Sequence, residues 1–339
     1  MKKIVPILLT LLLSLLGINT QAQYHDDILG NGYQCRTIEQ PDDYDGKVVC
    51  TLIKKTAPTE SKKAIVYVHG YNDYFFQREL GDSINAHGYN FYAVELRKYG
   101  RSLLPHQDLF FCKKIDEYFA DIDTTIAIAK MEGNENILLM GHSTGGLCLS
   151  LYMGQKKGGI PIDGLILNSP FLDWNLSKFT ENITTPCVSA LGAIFKRVKV
   201  QGASDEPCGY AQSLHKQYHG EWEFNTDWKK PEGHPKRAGW VRAIHHGHKK
   251  AHKGLNIECP ILVMSSDTTA EETFQWNEIL KHADIILDVK EIQSYGAKLG
   301  KNVTQAIIQG GVHDLILSTK ESRDEAYRTF FEWMEKIHF

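Results

Sequence analysis

Short apolar runs alternate along the chain with stretches whose apolar residues recur at helical spacing. Buried strands alternating with amphipathic helices predict a mostly parallel sheet covered by helices on both faces. Lys47 to Lys55 reads as a strand. Ala64 to Val68 is a buried strand that runs into a turn at His69-Gly70. Phe76 to His87 has a helical pattern, and Phe91 to Leu96 is the next strand. Ile115 to Met131 is helical, Asn136 to Met140 is a strand entering Gly141, and Thr144 to Met153 is a helix of apolar and small residues. Gly164 to Asn168 is another strand. From Phe171 to about Leu255 the rhythm breaks. It resumes with a strand at Pro260 to Ser265, a helix at Ala270 to His282 and a strand at Val303 to Gln309. An amphipathic helix over Glu321 to Ile337 closes the chain. The middle segment is therefore an insertion between core strands, not a tail domain. No internal repeat or low-complexity stretch interrupts this reading.

The first residues do not belong to that pattern. Met1-Lys2-Lys3 is a basic start, Ile4 to Gly17 is an apolar run, and Thr20-Gln21-Ala22 places small residues at the −3 and −1 positions. That is the layout of a cleavable secretory signal over residues 1–22, cut after Ala22. The run is short for an uncleaved membrane anchor, and no Cys stands at the cut for a lipid anchor. Its form is bacterial, and a periplasmic or secreted protein is expected. Losing Lys2 and Lys3 takes the formal charge from −3 to −5, and residues 23–339 remain as one elaborated domain. With 42% hydrophobic and 10% aromatic residues the chain is neither disordered nor collagenous, and its near-neutral balance argues against nucleic acid as a partner. Export permits disulfides. The cysteine count is odd, and Cys187 and Cys208, both in the loop-rich segment, are the pair to test.

The candidate chemistry sits at strand ends. Gly141-His142-Ser143-Thr144-Gly145 fits G-x-S-x-G between an apolar strand and a small-residue helix. A strained turn there exposes the Ser143 hydroxyl, and side chains two positions either side would collide. The bland reading is a Gly-rich turn with an idle serine. His69-Gly70-Tyr71-Asn72 follows an earlier strand, where an oxyanion loop belongs. The donors are expected to be the backbone amides of Tyr71 and Thr144, while the His69 side chain is read as structural. Serine needs a base. His313, just past the last strand, fits by position and by the chain order Ser…Asp…His. Two acids compete. Asp267 directly follows a strand, and Asp284 stands 29 residues before His313 in Asp284-Ile285-Ile286-Leu287-Asp288. Asp284 is preferred, Asp267 is the alternative, and Asp288 reads as a helix N-cap.

These segments, together with Glu95-Leu96-Arg97-Lys98-Tyr99-Gly100-Arg101-Ser102, Asn168-Ser169-Pro170-Phe171 and Gly311-Val312-His313-Asp314, resemble the α/β-hydrolases. The likeness is strongest to their lysophospholipase and monoacylglycerol-lipase branch, which carries serine aminopeptidase (S33-type) labels, and it covers the chain from about Val48 onward. It implies an α/β-hydrolase fold with an inserted lid or cap, which the 171–255 segment matches. It also implies a Ser143–His313–Asp284 triad and a serine esterase that needs no cofactor. The chain departs from the family at Asn72, where Gly is usual.

Between residues 196 and 253 twelve Lys and Arg face six Asp and Glu, a basic cap on an acidic body. This suits an anionic headgroup or a peripheral membrane-surface contact, or it is simply a solvated face. Trp222, Trp228 and Trp240 line an acyl channel or form the cap core. His245, His246, His248 and His252 cluster, but no carboxylate lies among them and their lysine neighbours repel cations, so no metal is expected. The expected function is hydrolysis of carboxylic esters such as lysophospholipids or monoacylglycerols. Peptidase action from a free N-terminus, acyl transfer and non-catalytic binding on the same fold are the rivals.

Overall fold

The computed structural model describes residues 23–155 and 161–339, and the export segment expected over 1–22 lies outside them. The strands are β1 (His25–Asp26), β2 (Gln34–Asp43), β3 (Gly46–Lys55), β4 (Lys63–Val68), β5 (Asn90–Glu95), β6 (Asn136–His142), β7 (Gly164–Asn168), β8 (Lys199–Gln201), β9 (Lys236–Arg237), β10 (Ile261–Ser266) and β11 (Val303–Ile308). Nine of them form one sheet in the order β1-β2-β3-β5-β4-β6-β7-β10-β11. The β1/β2, β2/β3 and β3/β5 pairs are antiparallel, and every later pair in the sheet is parallel.

β5, β7 and β10 are buried along their whole length. Their apolar stretches, Phe91–Val94, Leu165–Leu167 and Ile261–Met264, therefore mark strands covered on both faces rather than half-exposed ones. Alternate residues of β4 feed two separate cores. Val66 and Val68 face one core with Ile122, Leu147 and Ile244. Ile65 and Tyr67 face the other with Leu80, Met140, Phe330 and Trp333. The helices over these faces are α1 (Arg78–Ala86), α2 (Phe119–Met131), α3 (Thr144–Gln155), α7 (Val289–Gly296) and α8 (Lys320–Lys336), with α4 (Thr185–Ile194), α5 (Gly209–Leu214) and α6 (Ala238–Ala251) between β7 and β10.

Two readings of the pattern need correction. β2 is absent from the sequence reading because its polar residues and Pro41 hide it. The pairing register shifts between Gln40 and Asp43, where proline cannot donate to the ladder. The helix expected over Ala270 to His282 does not form. Only Glu278–Lys281 makes a 3₁₀ turn, with Asn277 Oδ1 accepting from the Ile279 amide at 3.3 Å. Tertiary partners draw out the rest. Gln212 Nε2 donates to the Phe274 carbonyl at 2.7 Å, the Tyr210 amide donates to Glu272 Oε1 at 3.2 Å, and Trp276 stacks on His219 at 3.8 Å. Thr268 and Ala270 then bond the Asp284 backbone at 2.9 and 3.1 Å. The excursion thus closes as a loop that returns Asp284 to the end of β10.

The 171–255 segment contains α4, α5, α6 and the two-stranded β8/β9 ribbon. Its last helix is not remote from the core: Trp240, Val241, Ile244 and Ala251 of α6 belong to the same apolar cluster as Leu147 and Leu151 of α3. The seven cysteines are free thiols, with Cys187 exposed and Cys208 half-buried.

Candidate active site

Ser143 stands between β6 and α3 at φ 51°, a left-handed conformation that costs energy and is held by its surroundings. Its amide donates to the Asn168 carbonyl at 3.0 Å and its carbonyl accepts from Phe171 at 2.9 Å. The flanking glycines are required by space. A methyl at Gly145 would overlap the backbone oxygens of Val68 and His69, and one at Gly141 would lie 2.8 Å from the Gly145 oxygen. The turn therefore presses its serine outward, although only 8% of the residue is exposed.

Behind Ser143 the side chains form one hydrogen-bonded line. His313 Nε2 lies 2.9 Å from Ser143 Oγ, and His313 Nδ1 lies 2.9 Å from Asp284 Oδ2. Asp284 is fully buried, and its other oxygen accepts the Ile286 and Leu287 amides at 2.9 and 2.8 Å. Because the carboxylate can only accept, Nδ1 carries the ring proton and Nε2 turns its lone pair to the serine hydroxyl. Asp267, the alternative acid, does not join this line. It is exposed, and its oxygens take the Gly310 amide at 2.8 Å and the Thr268 hydroxyl at 3.0 Å. Asp288 caps α7 by accepting from the Lys290 amide.

The loop after β4 abuts the serine: a Cβ placed on Gly70 would lie 3.2 Å from Ser143 Cβ. Among the described residues neither the Tyr71 amide nor the Thr144 amide has an acceptor within the protein. Thr144 is the first residue of α3, where amides lack helical partners. His69 sets this loop from below. Its Nδ1 donates to the Gly70 carbonyl at 2.8 Å, and its Nε2 accepts from the Leu96 amide at 3.1 Å. Burial pushes its pKa down to about 4, which keeps the ring neutral for that pair of bonds.

Sequence reasoning missed a tether between this loop and the 171–255 segment. Asn72 keeps the left-handed bend that glycine would give, at φ 50°. It also adds two bonds, donating from Nδ2 to the Lys230 carbonyl at 2.9 Å and accepting the Lys230 amide at 3.0 Å. Beside it the buried Lys229 ammonium lies 3.0 Å from Asp73. Burial pushes the Asp73 carboxyl up, but Lys229 and the His142 ring outweigh it and hold it well below the usual carboxylate range. A second missed pair fixes the His313 loop. Asp314 accepts from Asn168 Nδ2 at 2.7 Å, and Asn168 Oδ1 accepts the Leu315 amide at 3.2 Å. The Asn168 and Asp314 motifs stand out in the sequence, but nothing there says that they meet.

The tether gives a graded expectation. Asn72→Gly keeps the bend and loses the bonds to Lys230, whereas Asn72→Ala loses both, at about 1 kcal/mol per bond and about 1–2 kcal/mol for the bend. On a soluble ester, kcat is expected to fall in the order wild type, Asn72→Gly, Asn72→Ala, with roughly tenfold lost in the last. Wild-type kcat in both variants would show that Lys230 does not set the loop.

Ser143, His313, Tyr71 and Thr144 open onto one cavity of about 470 Å³, walled by Phe171, Trp174, Leu176, Phe224, Trp240 and Leu287. Trp222 and Trp228 lie outside it. Trp222 Nε1 donates to the Leu317 carbonyl, and Trp228 packs on Tyr74. A hydroxyl backed by an oriented imidazole, with free amides beside it and an apolar cavity in front, is equipped for attack on a carbonyl. In the histidine cluster, His248 and His252 instead bond the Phe171 and Leu172 carbonyls at 2.9 and 2.8 Å.

No curated protein matches the chain by sequence. By structure it is similar to a soluble variant of monoglyceride lipase from Saccharomyces cerevisiae in complex with a substrate analogue. That likeness has a TM-score of 0.65 and 16% identity, over 93% of this chain and 96% of that one. It is also similar to monoacylglycerol lipase from Paleococcus ferrophilus, with a TM-score of 0.60 and 20% identity over 84% and 99%. Est1E from Butyrivibrio proteoclasticus with ferulic acid bound has a TM-score of 0.53 and 16% identity over 93% and 98%. At these identities the likenesses establish the fold. The family model described as serine aminopeptidase, S33, matches residues 59–272, well over half of the chain. With the sheet order and helices on both faces, this settles the assignment: the chain belongs to the S33 serine aminopeptidase family of hydrolases and has the α/β-hydrolase fold.

Proposed function

We propose that the protein is an exported serine hydrolase of carboxylic esters with medium or long acyl chains, of the lysophospholipid or monoacylglycerol class. The observation that carries this reading is the Ser143–His313–Asp284 line opening onto a cavity with an aromatic and aliphatic wall. His313 takes the Ser143 proton as the hydroxyl oxygen bonds the ester carbonyl carbon. The Tyr71 and Thr144 amides receive the developing oxyanion. The tetrahedral intermediate expels the alcohol, which leaves with the proton from His313. Water then attacks the acyl-enzyme with His313 again as base, releasing the acid and restoring Ser143. Asp284 holds the ring in the tautomer that both steps need.

The lipid part of the reading draws on the cavity wall and on the surface around it. Phe179, Ile194 and Phe195 are exposed on the 171–255 segment, and the exposed Lys196 and Lys199 follow Phe195 in the chain, a composition suited to a lipid–water interface. The named lipase neighbours add weight to it. Export draws on the basic and apolar layout of residues 1–22. Cleavage of peptides from a free N-terminus would need a carboxylate for the substrate ammonium. Glu232 and Glu272 line the cavity, Glu272 bonded to the Tyr210 amide, together with Lys229, Lys230 and Lys236; the ester reading is preferred for the aromatic and aliphatic wall in front of Ser143.

The test is acid release from p-nitrophenyl esters running from acetate to palmitate. The rate is expected to peak at medium or long chains. A folded protein that hydrolyses none of them overturns the ester reading and favours the peptidase or binding alternatives.

A further inference from the structure

Buried cations in this protein have their carboxylates. Arg97 pairs with Asp121 at 2.7 Å, Lys98 with Asp43 and Asp45 at 2.8 and 2.7 Å, and Lys229 with Asp73 at 3.0 Å. Lys236, which is half-buried, has no such partner. It sits on β9, paired across to β8, and lines the cavity that holds Ser143. Among the described residues its ammonium has neither an ion pair nor a hydrogen bond. The next residue, Arg237, is by contrast engaged by Asp108 at 2.5 Å and by the Arg197 carbonyl at 2.6 Å.

Lys236 shares the cavity wall with Lys230 and His234 and with two carboxylates, Glu232 and Glu272. Burial pushes its pKa down, with Glu272 pushing the other way from beyond ion-pair distance. His234, also in the cavity wall, is pushed down to about 4 by burial and then by Lys230 and Arg237. A half-buried ammonium on the cavity wall with no ion pair or hydrogen bond inside the protein has its donors available to an anionic group that enters the cavity. The same wall reaches the reaction site, since Trp240, on the helix that follows Lys236, packs against Tyr71 with ring centroids 4.3 Å apart.

We infer that Lys236 is the subsite for a negatively charged oxygen group on the substrate, a phosphate or a carboxylate, so that the preferred substrates are anionic esters rather than neutral ones. The inference rests on the ester-hydrolase reading and deepens it. The ammonium donates hydrogen bonds to the anionic oxygens while the acyl chain occupies the aromatic part of the cavity. A charge-assisted contact of this kind is worth about ten- to a hundredfold in kcat/KM.

The experiment compares three esters of one acyl length, kept below micelle formation: a monoacylglycerol, the matching acylglycerol phosphate and the matching acylglycerate. Fatty-acid release gives kcat/KM for each, and the ratio of anionic to neutral substrate is read within each variant, which cancels any general loss. Wild type is expected to favour at least one anionic ester about tenfold or more. Lys236→Met is expected to bring that ratio near one, Lys236→Glu to invert it, and Lys236→Arg to restore much of it. Which of the two anionic esters responds identifies phosphate or carboxylate. A wild-type ratio near one, or a preference that survives Lys236→Met, overturns the subsite while the monoacylglycerol is still hydrolysed. Failure to release acid from all three esters and from the p-nitrophenyl series overturns the ester reading beneath it.

Discussion

Ser143→Ala is expected to reduce kcat on a p-nitrophenyl ester by about 10⁵–10⁶, the scale seen when a nucleophile is removed from a triad that acts as a unit. What remains is the modest acceleration over water that free amides and substrate binding still give. The substitution is mild for the fold. It removes one oxygen whose bond is to His313, at 2.9 Å. It leaves the backbone at φ 51°, which serine already tolerates at similar cost. The Ser143 amide and carbonyl keep their bonds to Asn168 and Phe171. The melting temperature is therefore expected to move by only a few degrees, so lost activity cannot be laid to unfolding. Steady-state rates and a thermal melt on the same sample check both halves. Substantial turnover by a folded Ser143→Ala protein would remove serine from the mechanism.

How much of this site could be read in the chain depends on the range of the interactions that make it. β7, Gly164–Asn168, matches its expected limits because a strand covered on both faces shows a near-continuous apolar run, here Leu165 to Leu167, and Asn168 ends it. The elbow is legible because its constraint is local, in that Gly141, Ser143 and Gly145 restrict one another across a single turn. Long-range partners were not legible. The pattern over Ala270 to His282 is helical, yet the segment is drawn out by Gln212, Tyr210 and His219 from the 171–255 segment. Asn72 shows the same limit. It differs from the glycine that is usual in the family. The bend is kept, and the side chain is spent on the Lys230 backbone, 158 positions away. Lys236 looked like one cation among twelve in the basic segment. Its place on the cavity wall, with no ion pair or hydrogen bond on its ammonium, appears only in three dimensions.

The choice between the two acids gives the second large effect. Asp284→Asn is expected to lower kcat by about 10⁴, and Asp267→Asn to leave it within about twofold. The asymmetry follows from the hydrogen bonds. Asp284 Oδ1 accepts two backbone amides, from Ile286 and Leu287, so an asparagine would place its carbonyl oxygen there and turn its NH₂ toward His313. That group can only donate to Nδ1, which shifts the ring proton to Nε2 and aims an N–H at Ser143 in place of a lone pair. The geometry survives and the base is lost. Asp267 receives the Gly310 amide on one oxygen and the Thr268 hydroxyl on the other; an asparagine carbonyl can keep the first, its NH₂ can donate to the Thr268 hydroxyl, and neither bond leads to the ring. Measuring kcat and the melting temperature of both variants separates a lost base from a loosened loop. Asp284→Asn should lose rate at nearly unchanged stability, because the two backbone amides keep their acceptor. A larger loss in Asp267→Asn would mean that the 267–310 contact, not the buried carboxylate, orients His313.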